Sequence, residues 1–279
     1  MADSEDSVAQ TILYLRPQRS EAVEVLDILA NKPYVEEVVP PLEPVDIPLG
    51  EVPDLFSTTY LSPYGNALHD HGRVSRESSA GLYSISLRVI RLGFDTIEPS
   101  SRGFEFGYGP HSNVKVPYYS KHPDKNPMKA YFRIHYNFNS GALLITALDG
   151  IKVGSARLSK QESLLIMAGT IIHCGGEFEF IVEFPDLSNC AEEHERNYQK
   201  YASKLGFPDA QYLASSPAEL PPIGAEHRSK AIIGKGAFGE VHKALHIRDG
   251  NHFAIKILSG GGKDEMKEVN IMSRLCHVS

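Results

Sequence analysis

The sequence predicts a mainly β protein, α+β overall: a β-sandwich followed by a small three-stranded antiparallel sheet with one helix. Three observations lead there. Between residues 81 and 186, short apolar or alternating runs recur roughly every 8–12 residues with Gly, Asn, Asp, Ser or Pro between them, the pattern of a sandwich or barrel. After residue 228, two β-rich runs flank Asp249-Gly250, a tight-turn pair. Between these zones lies one stretch with the chemistry of a helix and its stop signal.

Taken in order, residues 1–80 are expected to be an irregular region with one short helix. "TILYL" is strand-like, and "SEAVEVLDILANK" sets Ala22, Val25, Leu26 and Leu29 at helical spacing behind Ser20, which is placed to cap it. The proline-studded "VVPPLEPVDIPLGEVP" should run extended and irregular. The sandwich of residues 81–186 then reads through "LYSISLRVI", "RGFEFGYG", "NVKVPYY", "YFRIHYNF", "GALLITAL", "IKVGSARL", "ESLLIMAG", "TIIHCGG" and "FEFIVEF". Residues 187–227 hold a helix in "SNCAEEHERNYQKYASKLGFPD", acidic at its start, stopped by Gly206 with Pro208 beyond. The Pro- and Ser-rich "SSPAELPPIGAEHRS" has the composition of a linker. Residues 228–279 form the final zone. No repeat of fixed period appears.

The formal net charge of −7 argues against nucleic acid, whose phosphates need a basic surface. No run reaches the roughly 18 apolar residues of a membrane span, and the acidic "MADSEDSVAQ" lacks the basic and apolar regions of a secretory signal. Three widely spaced cysteines, Cys174, Cys190 and Cys276, suit a reducing compartment. The expectation is an intracellular protein without membrane or nucleic-acid contact, nucleus and cytoplasm both open. His69-Asp70-His71 supplies two imidazoles without a third convergent ligand and reads as solvated, so no metal site is expected. Cys174 reads as a small core residue, and the Arg-Ser pairs around Ser75 and Ser78 are of a kind common by chance.

Gly234-x-Gly236-x-x-Gly239 brings backbone N–H groups toward phosphate oxygens, but two unrelated folds use that spacing. In a dinucleotide-binding unit the third glycine opens a helix of several turns. Here the Asp249-Gly250 turn follows too soon, and "HFAIKIL" comes at once, so the pattern is hairpin rather than strand–helix–strand. Ile233, Gly234, Lys235, Gly236, Ala237, Phe238, Gly239 and Val241, followed by Ala254-Ile255-Lys256, resemble the glycine-rich loop and third-strand lysine of a eukaryotic-type protein kinase. The residue chemistry agrees. Ala254, Lys256 and Leu258 share one face of an alternating strand, and an ammonium turned among apolar neighbours calls for an anion. The resemblance implies ATP as that anion and a helix glutamate as second partner. Glu268 fits, in a helix read through "KDEMKEVNIMSRLCH" with Glu265, Val269, Met272, Leu275 and Cys276 near one face. Alone, Lys256 reads as a lysine on an exposed sheet edge; jointly with the loop and Glu268 it does not.

The resemblance covers residues 229–279 only. The chain contains no H-R-D and no D-F-G, so magnesium would require parts it lacks, and this chain alone is expected not to transfer phosphate. Serine/threonine specificity rests on the resemblance. A truncated gene model, a splice product and a remnant stay open.

The sandwich resembles a forkhead-associated (FHA) domain through "FEFGYG" with "HSNVKVPYY", "YFRIHY", "LDGIKVGSARL" and "LLIMAGTIIHCGG". That family holds phosphothreonine with an arginine, a serine and an asparagine on loops at one end. Here Tyr108 stands at the arginine position, Met128 and Lys129 at the Ser-Arg positions, Tyr131 at the histidine and Asp149 at the asparagine before Gly150. Lys115, Lys121, Lys125 and Lys129 make a basic stretch nearby, with Lys129 and Tyr108 the candidate contacts to a phosphoprotein. Two functions follow: an ATP-binding fragment of a protein serine/threonine kinase with an FHA-like module, or a non-catalytic FHA-like scaffold carrying a kinase remnant.

Overall fold

The computed structural model describes residues 3–18, 20–38, 60–61, 67–68, 73–76, 83–97, 103–117, 130–174, 178–213, 220–223, 225–236 and 239–258. The chain starts with α1 (Asp3–Gln10), β1 (Thr11–Pro17), α2 (Ser20–Asp27), a 3-10 turn at Leu29–Tyr34 and β2 (Val35–Val38). Short strands β3 (Tyr60–Leu61), β4 (Ala67–Leu68) and β5 (Arg73–Arg76) precede the long β6 (Tyr83–Gly93). Then come β7 (Phe104–Gly107), β8 (Val114–Lys115), β9 (Ala130–Asn137), β10 (Ala142–Ala147), β11 (Ile151–Val153), β12 (Ala156–Leu158), β13 (Ser163–Leu165), β14 (Ile171–Cys174) and β15 (Phe178–Glu183). After α3 (Ala191–Lys204), strands β16 (Pro222–Ile223), β17 (His227–Gly236), β18 (Gly239–His246) and β19 (His252–Leu258) finish the described chain.

The fold is mainly β, as the run spacing predicts. One sheet is ordered β12-β11-β14-β15-β1-β6-β2, with β5 also on β6; a second is ordered β13-β10-β9-β7-β8. They bury one core between them. β15 alternates buried and half-buried residues along its whole length, the signature of a strand with one face inward. Phe178, Phe180, Leu13, Leu15, Ile90 and Leu92 meet Phe104, Phe106, Phe132, Ile134 and Ile145 there. Phe106 and Phe132, cross-strand partners, stack with ring centroids 4.4 Å apart. Each fully buried aliphatic or aromatic side chain contributes about 1.5–3 kcal/mol. Cys174 is part of this core, its thiol pushed up to about 12 by burial and so chemically quiet.

The amino-terminal segment differs from the irregular region expected. β1 lies inside the large sheet, antiparallel to β15 on one side and β6 on the other. The reason is long-range: "TILYL" has little local support, but its apolar residues find two open strand edges. Arg16 closes the pairing with Glu183 at 2.7 Å. α2 buries Ala22, Val25 and Leu26 as their spacing predicts. The helix ends at Asp27, before Leu29, and a 3-10 turn carries the chain on.

Fully buried Asn31 ties this region to the second sheet. Its amide donates to the carbonyls of Val25 and Lys115, each at 2.7 Å, and its oxygen accepts from the Lys115 N–H. α3 ends as predicted. Gly206, at φ +88°, donates to Ser203 O and Phe207 donates to Ala202 O, a Schellman closure with glycine at its left-handed position.

β10 departs from alternation: five of the six residues in "ALLITA" are buried. Leu143 and Ile145 face the main core, while Ala142 and Leu144 form a second cluster with Leu165 and Ile247. Both faces are covered because the β18–β19 turn docks on the outer one. Gly250 is buried there at φ +68°, and a Cβ on it would come within 3.1 Å of Ala142 Cβ and 3.2 Å of Leu144 Cδ2. Asn137 Nδ2 donates to Asp249 O at 2.8 Å, and Leu165 N–H donates to Ile247 O at 2.7 Å. The small sheet, ordered β16-β17-β18-β19, has four strands rather than three because the linker's Pro222–Ile223 adds an edge. The helix expected after it lies outside the described residues.

Candidate functional site

The glycine motif is a β-hairpin, as the early turn signal required. β17 and β18 pair Gly236 with Gly239, Lys235 with Glu240 and Gly234 with Val241. Ala237 and Phe238, between the strands, lie outside the described residues. β18 and β19 then pair Val241 with Lys256 and Lys243 with Ala254. Directly paired residues of antiparallel strands point to the same face. Gly234, Val241 and Lys256 therefore form one row across three strands, with Ala254 next to it. A bulge between Ile232 and Gly234 leaves Ile233 59% exposed.

The three glycines are not equivalent. Gly239 sits at φ +131°, and a Cβ there would lie 1.9 Å from Ile257 O, so the fold itself demands glycine. Among the described residues, a Cβ on Gly236 would meet nothing within 4 Å and one on Gly234 only Val241 Cβ at 3.9 Å. Neither has a left-handed backbone. Both could carry a side chain as far as the described residues are concerned, and the bare backbone of Gly234 leaves space beside Val241. Lys235 Nζ reaches Glu240 Oε1 at 2.8 Å on the exposed hairpin, and the hydrogen bond from Lys235 holds the Glu240 carboxyl below its ordinary range.

Lys256 departs from the buried ammonium expected among apolar neighbours. It is exposed, and so is Ala254. Among the described residues no element covers this end of the sheet. Glu268 lies outside the described residues. The row of Gly234, Val241 and Lys256 is assembled; its carboxylate partner is not part of the described geometry.

At the opposite end of the hairpin the chemistry is architectural. Asp249 Oδ1 accepts from Asn251 N–H at 2.9 Å and lies 3.0 Å from His246 Nδ1, fixing the turn that the sandwich grips.

The FHA-like loops give a different result. Tyr108 is half-buried against the core, its ring 6.3 Å from that of Tyr131, which is only 5% exposed and belongs to the core. The Lys115 ammonium donates to the carbonyls of Gly109 at 2.7 Å and Pro110 at 3.1 Å, so this lysine closes its own turn instead of facing outward. Asp149 is held by its N–H donating to Tyr131 O at 3.0 Å. Lys121, Lys125 and Lys129 lie outside the described residues.

His194 is a buried polar site that the sequence pattern missed. Its Nε2 lies 3.0 Å from Thr11 O and its Nδ1 2.7 Å from the Tyr212 hydroxyl. A carbonyl only accepts, so Nε2 carries the proton and Nδ1 accepts from Tyr212. Burial holds the imidazole below its usual value of 6.5 and pushes the Tyr212 phenol up to about 12. Phe94, Tyr136, Tyr198 and Tyr201 close around it as an aromatic layer between α3 and the sandwich.

No family model matches the sequence, and no curated protein matches it either. Among solved structures, one described as the crystal structure of Rad53 1-466 in complex with AMP-PNP overlays with a TM-score of 0.37 and 18% sequence identity. The overlay covers 68% of this chain and 45% of that one.

Proposed function

We propose that β17, β18 and β19 form the nucleotide-phosphate end of a protein serine/threonine kinase amino-terminal lobe, with ATP as the ligand. One observation carries the reading: Gly234 and Gly236 are glycines that no described neighbour requires, and Gly234 stands in the row that holds Val241 and Lys256, with Gly236 two positions on along the same strand face. A backbone kept bare over a lysine suits close approach by phosphate oxygens, with Lys256 supplying the charge. Ile233, Val241 and Ala254 supply apolar contact for the base. Glu268 is assigned as the carboxylate that orients Lys256. The role assigned to these residues is nucleotide binding.

The test is ATP binding followed by calorimetry or ligand-observed NMR on the whole chain. Lys256→Ala and Gly234→Val should each weaken binding about tenfold or more while leaving thermal unfolding unchanged. Affinity untouched by both variants would remove the proposal.

A second reading is a non-catalytic FHA-like interaction module, favoured by where the large core sits: in the two sheets of the sandwich and α3. In it, Tyr108 and Lys129 would contact a phosphoprotein. Phosphothreonine peptides that bind wild type, but bind Lys129→Ala about tenfold more weakly, would support it.

A further inference from the structure

The face of the small sheet that carries Val241 and Lys256 continues toward the docked turn, and there it gathers cations. The registers align Arg228, Leu245 and His252 in one row and set Lys243 opposite Ala254 in the next. Lys230 occupies the bulge between Ser229 and Ala231, beside the second row. Leu245 is fully buried at the centre. In the positions flanking it, Arg228 Nε and His252 Nε2 are both buried without a hydrogen-bond partner. Among the described residues the Arg228 guanidinium donates to Met167 Sδ at 3.7 Å, a weak acceptor. Among the described residues, the acidic groups of this sheet are engaged elsewhere: Glu240 with Lys235 and His242, and Asp249 with His246.

A fold gains nothing from crowding unpaired cations around buried N–H groups. Burial, then Lys243 and Lys230, depress His252 to about 4; burial, then Lys243, lower Lys230. An oxyanion placed among these side chains would satisfy both orphaned nitrogens and reverse the repulsion. Arginine's planar fork with flanking ammonium groups is the donor set that phosphate oxygens select.

We propose that Arg228, Lys230, Lys243 and His252 form a binding site for a phosphate oxyanion, distinct from the glycine end of the hairpin. It does not use Lys256 and stands whether or not ATP binds. Its ligand is free phosphate or the phosphate of a modified protein side chain.

The experiment follows the His252 ring resonances of the whole chain by NMR, assigned through their loss in His252→Gln, while inorganic phosphate is added. Phosphate should move the midpoint of the His252 titration upward from about 4 toward 6.5. Lys243→Gln should weaken phosphate binding about tenfold or more, and Lys256→Ala should leave it unchanged. A phosphoserine peptide binding at least about tenfold tighter than phosphate identifies a modified side chain as the source; equal affinity identifies free phosphate. A wild-type midpoint that stays near 4 with tens of millimolar phosphate overturns the site. So does a phosphate response abolished by Lys256→Ala, which would merge it with the glycine end. Because the wild-type titration decides alone, a variant that fails to fold does not shelter the proposal.

Discussion

Gly239 shows how one residue can look functional by motif and be structural by geometry. Its left-handed backbone and the overlap a Cβ would make with Ile257 O make substitution costly whatever the ligand. Gly239→Ala should cost on the order of 3 kcal/mol in denaturant unfolding, whereas Gly236→Ala should cost under about 1 kcal/mol. Equal losses would mean that Gly236 is as crowded as Gly239. Asn31 is structural without any motif, its amide and carbonyl serving three backbone groups at once. Asn31→Ala strands those partners and should cost about 3 kcal/mol by the same measurement. His194 adds a pH dependence. Burial lowers its folded value below 6.5, so the unfolded chain takes up the proton first as pH falls. Its contribution is complete above about 6.5 and is lost as pH drops through the lower folded value. His194→Gln should flatten the stability profile across that window; an unchanged slope would reassign the effect.

At the scale of elements, what the sequence displays depends on how local the cause is. The end of α3 is legible because Gly206 and its hydrogen bonds lie within one turn. The hairpins are legible because Asp249-Gly250 and the glycine spacing set the reversals. β15 advertises itself by alternation. β10 does not: "ALLITA" shows that both faces are apolar but not that the outer one is reserved for Ile247 and Gly250, more than 100 residues along. β1 reads as a strand in "TILYL", but its place inside the large sheet does not show, for the same reason, its partners being far away in the chain. Within the candidate site, the row of Gly234, Val241 and Lys256 follows from motif and strand parity. The exposure of Lys256 does not, because burial depends on what lies over a sheet and not on the sheet's own sequence.

For the molecule as a whole, the grip on the β18–β19 turn joins the small sheet to the sandwich through a contact a single atom can test. Gly250→Val would drive a branched side chain against Ala142 and Leu144 from a positive-φ position. It should destabilise by at least about 2 kcal/mol and split one calorimetric transition into two, the small sheet melting first. A single, unshifted transition would show that the two units do not depend on this turn. The placement of β1 has a consequence of another kind. Arg16 and Glu183 are 167 positions apart, yet they close the same strand pair. During translation the first strand leaves the ribosome long before β15 exists, so the nascent chain carries Leu13 and Leu15 unsheltered while most of the sandwich is still being made.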